Sequence, residues 1–397
     1  MKLVFATLVL AACGDNTPSI GPPIAPAETL FVVAHFDDEE IFMQPELVTA
    51  LRAGSVATIF VTSGDQVKGD GHAQEVFEAA RTAYGKMAGD STWDCGYVTV
   101  TELPVQHCRL RDRDVAVLAL DVPEGAIDGH FDDSLLHLVE GRPSLPILGP
   151  IGGRVTTASL VDELAELVRL IDPAQIHALD LPATHGRDHS SHLLSSAFLL
   201  WGAASAGYSG ELAWHRGYNV ASEPVTLDGA AFADAAEMLG FFEACYYGCG
   251  ECGTASCPVD KLDVTHVTWM HRQYATHADH TTGVLASDAG CLVAQGDALA
   301  IDACVGRVAK LDETAHLAIG DRCAASTADG AIVLEPCATT PEQVWMLDSE
   351  GFVWNGRPPA PSADMEYDHV RCLAATNATA TAPTCGSLLQ PHWQIAQ

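Results

Sequence analysis

Residues 28–35, ETLFVVAH, run through β-branched and aromatic side chains without a polar interruption until the histidine. Such a run predicts a strand buried on both faces, as in a parallel sheet. A second run, 56–62 (VATIFVT), ends at Ser63-Gly64-Asp65. Between them, Glu39 to Ala53 carries apolar residues at helical spacing (Ile41, Phe42, Leu47, Leu51), and His72 to Ala88 predicts another helix. Later come a strand at 114–120 (DVAVLAL), a helix from about Ser159 to Ile171, and a strand at 175–181 (QIHALDL). Strands alternating with helices predict an α/β fold in three layers around a mostly parallel sheet.

In open sheets of this kind, ligands bind outside the carboxyl ends of the strands. Two polar clusters fall there. His35, Asp37 and Asp38 follow the first strand, and THGRDHSSHLL, with His185, His189 and His192, follows the strand at 175–181. A catalytic zinc commonly takes three His or carboxylate ligands and leaves a position for water. A neighbouring carboxylate then accepts that water's proton. Three ligands and a spare acid are what these clusters supply together. Glu39 and Glu40 most simply open the next helix, whose N-terminus favours negative charge.

Composition changes the picture mainly by exclusion. Acidic residues outnumber Lys and Arg 52 to 20, giving a formal net charge of -32. That field repels nucleic acid and anionic membrane surfaces. Residues 1–12 (MKLVFATLVLAA) form a short apolar core behind one basic residue, too short to span a bilayer, and read as a signal peptide. Leu10-Ala11-Ala12-Cys13 resembles a bacterial lipobox, which makes Cys13 a lipidation site and the protein an exported, lipid-anchored one. The alternative is a cleaved signal without lipid. Residues 13–28 are rich in Pro, Gly and polar side chains, as a flexible tether is.

Beyond Cys13 twelve cysteines remain, an even number that favours disulfides in an exported chain. Cys95 and Cys108 flank a short insertion. Cys245, Cys249, Cys252 and Cys257 suit two disulfides, and their spacing also suits a structural zinc.

The polar clusters also carry a resemblance. Ala34-His35-Phe36-Asp37-Asp38-Glu39 resembles the AHPDDE signature of the PIG-L / LmbE-like family, zinc-dependent deacetylases of N-acetylglucosamine units in small glycoconjugates. The resemblance implies a Rossmann-like three-layer sandwich over residues 29–278. It implies His35 and Asp38 as zinc ligands and Asp37 as general base. Phe36 departs from the family's proline, which touches only local loop geometry. The family's second motif, His-x-Asp-His, is matched best by His189-Ser190-Ser191-His192, implying His192 as third ligand and His189 as oxyanion stabiliser. A competing register puts His189 on the metal with His185 nearby. Ser191 stands where the family usually has an acid or amide, which weakens the outer support a ligating histidine needs. The family's Arg-Glu pair has no confident counterpart, although Glu75, Glu78 and Arg81 lie nearby in sequence. HRGYNV (215–220) and WMHRQY (269–274) resemble late segments of the family.

After residue 285 short strands and turns take over, with cysteine pairs 291/304, 323/337 and 372/385 at nearly equal spacing. Gln343-Val344-Trp345 and the stretched Gln390-Pro391-His392-Trp393 close two of the three units. The repeat resembles a ricin-type β-trefoil lectin domain, implied for residues 286–397. Val293, Ala325 and Ala374 occupy the places where such lectins usually carry a sugar-holding aspartate, so carbohydrate is only a possible partner of this domain. The expected partner of the first domain is an amino-sugar glycoconjugate, or another amide if the motifs fix the reaction better than the substrate.

Overall fold

The computed structural model describes residues 19–397 except 67, 181–187, 279–281, 313–314, 339, 348–350, 358–370, 377–378, 384, 386–391 and 397. The proposed signal segment, Cys13 and His185 lie outside the described residues.

The chain opens with strands β1 (Thr29–Val33) and β2 (Ser55–Thr62), joined through helices α1 (Asp38–Phe42) and α2 (Glu46–Ala53). The single helix expected over 39–53 is two, because Pro45 supplies no backbone N–H and its ring disfavours a continued helix. Helix α3 (Asp70–Ala88) leads to β3 (Trp93–Thr99), β4 (Pro104–Leu110) and β5 (Asp114–Val122). Then follow α4 (Leu135–Val139), a small hairpin of β6 (Leu145–Pro146) and β7 (Arg154–Val155), α5 (Thr157–Ile171), β8 (Gln175–Leu179), α6 (Ser190–Ala206) and β9 (Glu211–His215). Helices α7 (Gly229–Tyr246) and α8 (Val264–Met270) precede β10 (Ala275–Ala278).

These strands form one sheet in the order β10-β9-β8-β1-β2-β5-β4-β3. The central pairings β9-β8, β8-β1, β1-β2 and β2-β5 are parallel, and the edges are antiparallel. Every residue of β1 is buried, because its two faces sit in different cores. Leu30 and Val32 pack with α5 and α6, while Phe31 and Val33 pack with α2, α3 and α7. Helices therefore cover both faces. That explains why β1 reads as a continuous apolar run and not as an alternation.

Cys95 and Cys108 flank the hairpin of β3 and β4. They face each other across the antiparallel pair β3 and β4 and are disulfide-bonded. The tight cluster forms Cys245–Cys252 and Cys249–Cys257, which leaves no thiolates there for a metal. Residues 19–22, in the predicted tether, lie against β3 and β4 through Gly21 N–H to Tyr97 O and the His107 ring to Pro22 O. Among the described residues no helix is long and apolar enough to cross a membrane.

The C-terminal region is β-rich. Strands β11 (Gly283–Ser287), β12 (Gly290–Gln295), β13 (Ala298–Asp302), β14 (Lys310–Leu311), β15 (Leu317–Ile319), β16 (Arg322–Ser326) and β17 (Ile332–Pro336) close into a barrel, because β12 pairs with both β11 and β13. Three disulfides, Cys291–Cys304, Cys323–Cys337 and Cys372–Cys385, span the pairs read from the sequence. Trp345 and Trp393 enter one core. Each donates its indole N–H to the carbonyl of the residue after a cysteine: Trp345 to Ala324 at 2.8 Å, and Trp393 to Leu373 at 3.1 Å. The repeated bond gives the repeated sequence a physical basis, since a buried indole needs an acceptor.

Candidate metal and catalytic site

The strands β1, β2, β5, β8 and β9 all run in the same direction, so their carboxyl ends share one edge. His35 follows β1, Gly64 and Gln66 follow β2, Glu124 follows β5, Asp188 to His192 follow β8, and Tyr218 follows β9. Polar residues up to 183 positions apart in sequence (35 to 218) therefore meet at this edge.

Asp38 closes the first turn by accepting the His35 backbone N–H at 2.7 Å. That bond turns the chain out of β1 and aims both side chains the same way. His35 Nδ1 lies 3.2 Å from His192 Nε2 and 3.3 Å from Asp38 Oδ1, while His192 Nε2 lies 3.0 Å from Asp38 Oδ1. Four bonds of zinc–imidazole length in a tetrahedron place neighbouring donors about 3.3 Å apart. The three atoms therefore have the spacing of three corners of such a cage, and the group can hold a metal ion.

His192 is wholly buried, and its other nitrogen is held too. Nδ1 lies 2.8 Å from Asp188 Oδ1, which also accepts the backbone N–H groups of His189 at 2.8 Å and Tyr218 at 3.2 Å. With Nδ1–H donated to Asp188, the lone pair of Nε2 faces the other two donors. The loss of outer support expected from Ser191 is thus corrected. The carboxylate comes from Asp188, one helical turn before His192, and Ser191 instead bonds the Glu124 carbonyl through its hydroxyl at 3.1 Å.

A second group, His35, Glu124 and His189, shares His35 with the first. Its wiring differs. His189 caps α6, its Nδ1 accepting the Ser191 backbone N–H at 3.1 Å. A neutral ring that accepts at Nδ1 carries its proton on Nε2, which faces Glu124 Oε1 at 3.3 Å. Nε2 then has no lone pair for a metal, so His189 is placed as a hydrogen-bond donor. His35 Nε2 points to the same Glu124 oxygen at 3.8 Å. Of the two registers open in the sequence, this geometry favours His192 as the ligand.

The charges follow this arrangement. Burial opposes ionisation of Asp38, yet the His192 and His35 imidazoles outweigh it and hold the carboxyl well below its usual range. Burial opposes Glu124 as well, and His35 and His189 bring it down to about 2. Burial, joined by the charge of His35, lowers His189 to about 4, keeping the ring neutral. Asp37 sits beside the triad without joining it. Burial and the neighbouring Asp38 raise its pKa, a direction that favours accepting a proton.

Asp37, His35, Glu124, Tyr218, Tyr246 and His266 line a cavity of about 120 Å³. A larger cavity of about 360 Å³, between α5, α6 and Thr340 and Val344, has no residue in common with it. Arg81 pairs with Glu78 beside the Cys95–Cys108 disulfide and does not line the site cavity. Glu39 and Glu40 do lie in α1, but both are fully buried. Glu39 accepts the Tyr84 hydroxyl at 2.7 Å, and burial pushes both carboxyls far above their usual range.

The sequence reading missed Glu124 and the pair Glu243–His266. Glu124 stood four residues beyond the strand predicted at 114–120, at the edge where the other polar groups gather. That position was the available signal.

No protein-family model matches the chain, and no curated protein matches it. Among solved structures, it is similar to the Vibrio vulnificus hemolysin/cytolysin β-trefoil lectin with N-acetyl-D-lactosamine bound. The identity is 18%, the TM-score 0.25, and the match covers 29% of this chain and 95% of that one. It is also similar to a conserved protein from Thermus thermophilus, at 14% identity and TM-score 0.32, covering 56% of this chain and 79% of that one. At these TM-scores neither likeness carries an argument, and the case for function stands on the site itself.

Proposed function

We propose that the protein is a zinc-dependent hydrolase that removes the N-acetyl group from an N-acetylglucosamine-containing glycoconjugate. The observation that carries this reading is the convergence of His35, Asp38 and His192 at cage spacing, with Asp37, outside that group, lining a cavity beside His35. Two imidazoles and a carboxylate suit zinc among the common divalent ions. Zinc held there would supply Lewis acidity and a water whose pKa is lowered toward neutrality.

The protein's own residues do the remaining work. Asp37 takes the proton of the attacking water. The His189 Nε2–H donates to the oxyanion that develops on the substrate, a role suited to a neutral ring in a water-poor site. Asp188 holds the ring of His192, and Glu124 that of His189, in the tautomers these tasks require. The C-terminal barrel, with its three disulfide-stapled units, supports a β-trefoil reading and an accessory role in holding carbohydrate. The leader and Cys13 support an exported, lipid-anchored protein.

The test is acetate release from a panel of N-acetylglucosamine conjugates by the full chain, with zinc and with a chelator. Chelator-sensitive release is expected. Zinc binding at one per chain without release from any sugar in the panel would sink the sugar assignment, and release from other amides would then redirect it to a zinc amidase.

A further inference from the structure

A second histidine–carboxylate pair reaches the same cavity from the opposite layer of helices. His266 lies on α8 and lines the cavity together with Asp37. Its Nδ1 is 2.9 Å from Glu243 Oε1. Glu243, on α7, is 1% exposed, and its carboxylate also accepts the Asp263 backbone N–H at 3.0 Å. Asp263 in turn caps α8, accepting the N–H groups of Thr265 at 2.7 Å and His266 at 3.3 Å. The cap, the helix and the buried carboxylate together fix one ring orientation, with Nδ1–H on Glu243.

A carboxylate buried this deeply needs its partners, so an ion pair tying α7 to α8 is the minimal account. That account leaves the rest of the ring unexplained. Pairs with no task beyond holding two helices have no need to line a small cavity beside the residue placed as general base. A cavity of about 120 Å³ brings Asp37 and His266 to the same occupant.

Resting on the deacetylase reading, we propose that His266, held by Glu243, is a further catalytic residue, the acid that gives its Nε2 proton to the leaving nitrogen. When the tetrahedral carbon collapses, the oxyanion's electron pair re-forms the carbonyl and the C–N bond breaks. The electron pair of that bond takes the Nε2 proton, and the nitrogen departs as a neutral amine. Asp37, holding the proton taken from water, passes it to the His266 ring and both groups return to their starting states. Protons balance over the cycle without any further reactant.

The electrostatics run the same way. Burial alone would lower the pKa of His266, but Glu243, Asp37 and Asp263 outweigh it and raise it above the ordinary histidine value. Tyr247, whose ring centroid is 6.2 Å away, is the other titratable side chain against the ring.

The experiment compares the zinc-loaded full chain with His266→Gln and His266→Asn on two acetamides. One is an N-acetylglucosamine conjugate, whose amine must be protonated to leave, and the other is acetyl 4-nitroanilide, whose amine leaves readily without a proton. An acid should be worth about 100-fold or more in kcat on the sugar amide and little on the anilide. Equal losses on both would mean a structural role and overturn the proposal, and so would no loss on either. A second readout needs no turnover: nitrogen NMR of the wild-type His266 ring should show Nδ1 protonated and Nε2 titrating above the ordinary range. A ring without a proton on Nδ1 would overturn the proposal even if the variants failed to fold. A wild-type chain inert toward both amides would sink the deacetylase reading and this inference with it, whereas active enzyme with unaffected variants would sink this inference alone.

Discussion

Asp188 Oδ1 and His192 Nδ1 are 2.8 Å apart, both wholly buried, at the first turn of α6. The contact decides which nitrogen of His192 is free for a cation. It predicts that Asp188→Asn lowers zinc affinity about 10- to 100-fold while leaving the fold intact. Competition with a colorimetric chelator would measure it, and unchanged affinity would remove Asp188 from the site. Gly217→Ala should act in the same direction, since a Cβ there would collide with the Asp188 carboxylate.

Asp37 lines the cavity but is not one of the three grouped donors. Asp37→Asn should therefore cut kcat by about 100-fold or more and leave one zinc per chain. Turnover measured alongside metal content checks this. Loss of the metal together with activity would make Asp37 a ligand and not a base.

The triad itself predicts a stability effect that needs no substrate. At free zinc 100-fold above its dissociation constant, ligand linkage stabilises the folded chain by roughly 2.7 kcal/mol. Denaturant titrations with and without zinc should show that shift in the wild type, and none in His35→Ala or His192→Ala. A full shift in either variant would place the metal elsewhere.

Asp121 predicts a pH dependence of stability that needs no metal or substrate. It follows Leu120 in β5 at a positive φ of 53°, and burial with the nearby charge of Asp70 raises its pKa from 3.8 to about 7. The folded state thus holds a proton that the unfolded state has already released. Stability contributed at low pH is lost progressively between those two values and stays lost above about 7. Asp121→Asn, which tolerates the left-handed backbone, should flatten that slope and stabilise the protein at pH 8 by at most roughly 4 kcal/mol. Urea midpoints across pH for the two chains would test it, and parallel curves would refute the shift.

The elements around the site were legible in the chain, because a parallel strand buried on both faces leaves an uninterrupted apolar run. β1 did so fully, β5 did so from Val115 to Leu120, and β2 and β8 were broken internally only by Thr58 and His177. The polar residues just past β1 and β8 stood out by contrast. The six disulfides were readable only in part. The trefoil-like pairs follow from repeated spacing, but spacing could not show that Cys95 and Cys108 face each other across two strands.

What the sequence by itself determined is local: which residues enter strands, where those strands end, and which side chains with metal-binding chemistry stand at the ends. Periodicity and turn residues act over a few positions, so they survive in the sequence as patterns. What only the tertiary structure decided is which partner each titratable group meets. Asp188 became the support of His192, Glu124 the acceptor of His189 and a charge beside His35, and Glu243 the anchor of His266. Glu39 and Glu40, which read as the start of a helix, do open α1 but are buried in it. Hydrogen-bond direction, tautomer and ionisation are set by neighbours brought together from distant strands, and no local pattern records those distances.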